Sequence, residues 1–177
     1  MTTTISHWID GKPTSGLGTR SGDVFDPATG QVTATVAFAD REDVDAAVSA
    51  ARAAFPGWRD ASLAKRASVL FAFREILNAR RDELATIITA QHGKVLADAA
   101  GEVQRGLEVV EFACGIPHLL KGGFSEGVSS GVDSYSIRQP LGVVGIISPF
   151  NFPALVPMWF FPIAIATGKT VVLMPCE

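Results

Sequence analysis

The first forty residues hold short apolar runs separated by turn-forming residues, and from there to about residue 116 apolar positions recur every three or four residues. That change of spacing predicts a β-rich start followed by helices. In HWIDGKPT the pair Asp10-Gly11 favours positive φ and predicts a tight hairpin turn. A second turn, Asp26-Pro27-Ala28-Thr29-Gly30, separates two runs rich in Val, Phe and Thr. Pro27 presets φ there, and Gly30 suits a left-handed closing position. Val32, Ala34, Val36 and Phe38 alternate, which gives the second strand one apolar face.

Three helical stretches follow. The first is expected from Asp40, a suitable N-cap, with Glu42 and Asp43 in the first turn, where the helix dipole favours acidic groups. Val44, Ala47, Val48, Ala51 and Phe55 form its apolar stripe, and Pro56-Gly57 is expected to end it. The second starts near Ser62, with Leu63, Ala67, Leu70, Phe73 and Leu77 at helical spacing. A continuation or second piece carries Leu84, Ile87 and Ile88, and Gly93 is suited to stop it. The third runs from about Leu96 to Ile116, with Val103, Leu107, Val110 and Cys114 on one face. Cys114 reads as a small buried core residue.

Residues 121–134 are rich in Gly and Ser and read as a loop. DSYSIRQ, Asp133 to Gln139, reads as a strand with a wet face or one that pairs with another chain. GVVGIIS is a compact apolar run of the kind found in a buried parallel strand. A helix from about Ala154 to Thr167 and a strand from Thr170 to Leu173 complete a strand–loop–helix–strand unit. The fold class is therefore α/β. In such units ligands bind at the carboxyl ends of the strands, which puts SPFNFP and MPCE at the functional edge.

Composition narrows the partners. The chain has 177 residues, 47% hydrophobic and 19% charged, enough for one domain with a core and too apolar for a disordered chain. Lys and Arg total 15 against 18 Asp and Glu, a formal charge of -3, so no basic excess serves a nucleic acid. Between Leu141 and Pro175 the only charge is Lys169, but prolines at 149, 153, 157 and 162 break the run, so a membrane span is not expected. Two cysteines make no disulfide framework, no His stands at metal-ligand spacing from them, and the start lacks a leader pattern, so a cytoplasmic location without a metal is expected. Gly16-Leu17-Gly18 lacks the third glycine of a dinucleotide fingerprint, and Gly168-Lys169-Thr170 has Ile163 where a P-loop needs its first glycine. Neither carries function.

Asn151 is unusual among its apolar neighbours in the SPFNFP turn. A buried amide there needs a partner. Two uses are open: donating to an oxyanion at the strand end, or capping the helix that follows.

SPFNFPALVPMWFFPIAIATGKTVVLMPCE resembles the aldehyde dehydrogenase segment that runs from the catalytic Asn loop to the adenine-ribose motif. The form PFNFP with FPIAIA is most similar to the CoA-acylating methylmalonate-semialdehyde branch. WIDGK, DPATGQV, EDVDAAVSAARAAFPGW, TAQHGK and GEVQRGLEVVEFA agree, in order, over nearly the whole chain. The resemblance implies a partial NAD-binding doubly wound domain, truncated, with N-terminal β-hairpins and helices over residues 1–177. It includes an oligomerisation strand around 133–139, with the catalytic domain absent. In the family a Cys thiolate attacks a small-molecule aldehyde, hydride passes to NAD, and in this branch the acyl group goes to CoA. Asn151 matches the catalytic Asn, Ser148 and Phe150 match positions beside NAD, and Glu177 matches the Glu of the adenosine-end motif. Met174 stands where the family has Lys and offers the ribose no donor, and Cys176 stands where it has Ser. The nucleophilic Cys and the general-base Glu belong to regions beyond residue 177. The chain is therefore expected to be the N-terminal portion of an NAD-dependent, CoA-acylating, homo-oligomeric enzyme, inactive alone. The alternative is a non-catalytic interaction fragment that associates with itself or with a full-length subunit.

Overall fold

In the computed structural model, which describes residues 3–175, the N-terminal β region forms as its turns require. Strands β2 (His7–Ile9) and β3 (Lys12–Thr14) pair antiparallel across Asp10 and Gly11, whose φ angles are 53° and 72°. That is the twist a two-residue hairpin needs. Strands β4 (Ser21–Phe25) and β5 (Val32–Ala37) are antiparallel, and β1 (Thr3–Ile5) adds to β5 in parallel, giving the order β1-β5-β4. Asp26 tightens the intervening turn by accepting from the Ala28 N–H at 2.8 Å, and Gly30 closes it at φ 70°.

Helix α1 (Arg41–Arg59) follows N-cap Asp40. The buried Asp43 carboxylate accepts from the N–H groups of Asp40 (3.1 Å), Leu17 (2.8 Å) and Gly18 (3.2 Å). Those bonds tie the β3–β4 link to the start of α1 and hold the carboxyl below its usual range against the opposing effect of burial. The helix does not end at Pro56-Gly57. Proline forfeits one intrahelical bond in the last turn, but Trp58 anchors that turn by donating from Nε1 to the Ile165 carbonyl at 3.0 Å.

Helix α2 (Leu63–Ala79) is capped by Ser62 Oγ, which accepts from the Lys65 N–H at 3.2 Å. The second piece is a separate helix, α3 (Arg81–His92), and Gly93 ends it at φ 80°. Ile88 is buried there, whereas Ile87 is exposed. Helix α4 (Leu96–Cys114) gives way to a 3-10 turn over Ile116–Leu120. Its expected face is buried: Val103, Leu107, Val110 and Cys114 are in the core, and burial pushes the Cys114 thiol up. Leu77, Ile88, Val103, Leu107 and Met158 form the main core cluster.

Residues 121–134 are not a loop. Strands β6 (Phe124–Ser129) and β7 (Val132–Tyr135) form an antiparallel hairpin, so the strand expected over 133–139 stops at Tyr135. The glycines that suggested a loop serve the hairpin: Gly131 closes its turn at φ 71°, and Gly127, at φ 63°, takes up a register shift. Gly127 N–H also donates to Asp133 Oδ1 at 2.9 Å. Every residue of both strands is exposed.

Strands β8 (Val143–Ser148) and β9 (Thr170–Pro175) run parallel on either side of helix α5 (Leu155–Ala166), the expected unit. The buried-strand expectation for GVVGIIS holds for one face only. Ile146 and Ser148 are buried at 5% and 2%, while Ile147 between them is 80% exposed. Helix α5 is apolar all round and packs most extensively on α4. The Met158 side chain packs against Gly106, where an added Cβ would lie 2.8 Å from Met158 Sδ. At the far end of α5, buried Arg66 occupies the space beside Gly168, its Nε and Nη1 have no hydrogen-bond partner among the described residues, and burial lowers its pKa.

Candidate active site at the carboxyl end of the strand pair

Strand β8 ends at Ser148, and the chain then turns through Pro149-Phe150-Asn151-Phe152-Pro153 into α5. This turn cannot secure the helix start by itself. Ala154 is the N-cap and has no capping oxygen in its side chain. The missing acceptor comes from α4. Glu102 Oε1 accepts from the N–H groups of Ala154 (2.8 Å) and Leu155 (3.0 Å). Val156 N–H donates to the Phe152 carbonyl at 3.3 Å, Pro157 has no N–H, and Met158 N–H donates to the Ala154 carbonyl at 3.2 Å. Each donor of the first turn is thereby satisfied.

The other oxygen, Glu102 Oε2, accepts from Lys94 Nζ at 2.6 Å. The same ammonium donates to the Asn151 carbonyl at 2.9 Å and stands 4.2 Å from the centre of the Phe152 ring. One buried ion pair therefore holds the turn on both sides, at the Asn151 carbonyl and at the first N–H groups of α5. Glu102 is fully buried, at 0% exposure. Burial alone would raise its pKa, but bonds from Lys94, Leu155 and Ala154 outweigh burial and leave it below the usual carboxylate range.

The four predicted site residues divide. Ser148 is buried and lies opposite Pro175 in the sheet register. Phe150 is half exposed and stacks on His92, ring centres 4.6 Å apart with planes at 25°. Asn151 is exposed, which corrects the expectation of a buried amide, and its side chain has no hydrogen-bond partner among the described residues. It does not cap α5, because Glu102 does. Glu177 and the neighbouring Cys176 lie outside the described residues. Met174 is 40% exposed on β9, paired in register with Ile147 of β8.

Sequence reasoning passed over Lys94, Glu102, His92 and Arg105. One signal was present for Glu102: it falls on the same α4 face as Ala99, Val103 and Gly106, and a carboxylate on an apolar face must have partners. Beside the turn lies an open cleft of about 530 Å³ lined by Lys94, Ala97, Asp98, Gly101, Arg105 and Phe152. Lys94 is committed to Glu102. Arg105 is exposed, its guanidinium carbon lies 5.8 Å from the Phe152 ring centre, and it forms no ion pair among the described residues. The described residues hold no metal-ligating cluster, and none of their helices is long and apolar enough to cross a membrane.

Residues 14–177 match the sequence profile of the Aldehyde dehydrogenase family. The chain is 48% identical over 174 residues to the malonate-semialdehyde dehydrogenase of Pseudomonas aeruginosa, covering 98% of this chain and 35% of that one. Over 155 residues it is 48% identical to the acylating, mitochondrial methylmalonate-semialdehyde dehydrogenase of Arabidopsis thaliana, covering 88% and 26%. Its fold superposes on the methylmalonate-semialdehyde dehydrogenase of Oceanimonas doudoroffii with a TM-score of 0.96 at 50% identity, over 99% of this chain and 36% of that one. A Sinorhizobium meliloti protein described as a methylmalonate-semialdehyde dehydrogenase, solved with NAD, gives a TM-score of 0.97 at 47% identity, over 100% and 36%. The chain thus spans about a third of the length of these relatives.

Glu102→Gln keeps the shape but leaves Lys94 buried without its counter-ion, so it should cost about 3–5 kcal/mol in denaturant unfolding. Because the Glu102 pKa is depressed in the fold, its contribution is complete above the ordinary carboxylate range of about pH 4 and is lost as pH falls through the lowered value. The variant should therefore show a shallower acid limb in a pH titration of stability. A loss below about 1 kcal/mol, or parallel acid limbs, would contradict the buried-pair account.

Proposed function

The chain belongs to the aldehyde dehydrogenase family, and from that premise we propose that it is the N-terminal portion of an NAD-dependent, CoA-acylating malonate- or methylmalonate-semialdehyde dehydrogenase, inactive alone. The observation that carries this reading is the site itself. A parallel strand ends at a turn whose backbone is clamped by Lys94 and whose Asn151 amide is left free. A fixed backbone with a free donor suits stabilisation of an aldehyde oxygen as negative charge develops on it. On this reading Asn151 donates to that oxygen. Lys94 and Glu102 act through Asn151 by holding its backbone.

Part of a dinucleotide site is present. Ser148 sits at the strand end, and Phe150 offers a half-exposed ring braced by His92. These two residues would lie beside NAD, with Glu177 toward the adenosine. When bound, NAD supplies the hydride acceptor, and CoA would take the acyl group. On the β9 side Met174 has no donor for ribose hydroxyls. Purified chain should oxidise no propanal, and calorimetry should find at most weak NAD binding. Met174→Lys should tighten that binding about fivefold, the value of roughly one net hydrogen bond. Turnover by the chain alone, or equal affinities, would count against this assignment.

The cleft bears on the substrate. A semialdehyde of malonate carries a carboxylate three carbons from its aldehyde oxygen. Arg105 is the cleft cation without an ion-pair partner among the described residues, next to the Asn151 turn. We assign it to that carboxylate. Malonate, as an unreactive probe, should shift NMR signals of residues 94–105, and Arg105→Ala should weaken the response tenfold or more, as expected for a charged hydrogen bond. Unchanged titrations would remove Arg105 from the site.

A second reading, the interaction fragment, is favoured by the β6–β7 hairpin. Phe124 is 69% and Tyr135 75% exposed, and a lone hairpin is marginal in water. Packing on a second copy or on a longer subunit would cover it, and the same contact would serve the homo-oligomer expected of the enzyme. Light scattering should then find the chain self-associated. A monodisperse monomer with the hairpin intact would argue against it.

A further inference from the structure

We propose that His92 is a positioning residue for the turn that carries Asn151, acting through its stack on Phe150; the proposal rests on the reading that this turn meets the dinucleotide. The two rings lie 4.6 Å apart and 25° from parallel. Both imidazole nitrogens are buried and neither has a hydrogen-bond partner. The contact that defines the ring's place is therefore its face, and that face lies on Phe150. Offset stacking adds an orientational preference to simple burial.

The backbone holds the imidazole from behind. His92 is the last residue of α3, and Gly93 takes φ 80° immediately after it. A Cβ on Gly93 would stand 3.1 Å from Cβ and Cγ of Pro27 in the β4–β5 turn. The end of α3 thus has the β4–β5 turn packed against it and cannot easily withdraw. Lys94, one residue further, takes the Asn151 carbonyl at 2.9 Å and the Phe152 ring at 4.2 Å. The segment 92–94 therefore grips residues 150–152 at three successive points. The Lys94 grip is ionic and polar. The His92 grip is aromatic, so another aromatic ring of similar size should replace it.

The test compares His92→Ala and His92→Phe in the 177-residue chain, by amide NMR spectra, thermal melts and calorimetric NAD titration. In the alanine variant, shifts and broadening should concentrate on the amides of residues 150–152. NAD affinity should fall about tenfold, while the melting point falls no further than in Ile88→Val, a core variant of the same helix. The phenylalanine variant should keep the wild-type signals of 150–152 and an affinity within twofold. Alanine signals unchanged at 150–152, or a phenylalanine variant as impaired as alanine, would overturn the proposal. If the wild-type chain binds NAD too weakly to titrate, as about a third of the full-length relatives allows, the amide spectra alone decide the positioning role.

Discussion

A single carboxylate, Glu102, fixes the geometry on which the site depends. It is fully buried, and an unpaired charge in that position would cost several kcal/mol. It is paired on every side that matters: one oxygen takes two backbone N–H groups of α5, and the other takes the ammonium of Lys94. Helix α5 needs this outside help. It begins at Leu155 after the N-cap Ala154, between Pro153 and Pro157, and its residues are apolar all round. Such a helix packs well but has no oxygen with which to close its own N-terminus. The anionic cap also lies at the positive end of the helix dipole, where its charge is favoured.

The constraint propagates through packing. With Glu102 bonded to the start of α5, helices α4 and α5 are locked in register, and Gly106 and Met158 can meet at close range. With α5 placed, the parallel pairing of β8 and β9 is placed, since α5 is the crossover between them. The turn between β8 and α5 is then held at three successive residues, by a stack at Phe150 and by Lys94 at Asn151 and Phe152. Its rigidity is a property of the backbone, which leaves the Asn151 side chain free to act. On the proposed reading stability and function share residues, because Glu102 and Lys94 hold the backbone from which the Asn151 amide projects.

Much of this fold was legible in the residues. Asp10-Gly11 and Asp26 to Gly30 marked their turns because positive φ has few suppliers. Gly93 marked a helix end for the same reason, and Ser62 marked a helix start because its hydroxyl can accept from a first-turn N–H. Local rules failed where tertiary contacts prevail. Pro56 did not stop α1, because Trp58 is tied to a carbonyl 107 residues away. The 121–134 stretch read as a loop because glycines that close a turn and absorb a register shift look like linker glycines in sequence. GVVGIIS has the apolar run of a buried strand yet is covered on one face only, since such a run does not record which of its faces another element covers. The family resemblance singles out Asn151, Ser148 and Phe150, and the fold brings them to one strand edge. Lys94 and Glu102 were not found, because they meet the turn from 57 and 52 positions away.

The most direct measurement of the central claim is hydrogen exchange at the Ala154 and Leu155 amides, near neutral pH and under native conditions. These are first-turn amides with no intrahelical acceptor, so in an ordinary helix they would exchange quickly. If Glu102 caps them as described, both should be protected to the same degree as amides in the core of α4. Exchange as fast as that of an open loop would mean that the carboxylate does not hold the start of α5, and the account of the site built on it would fail.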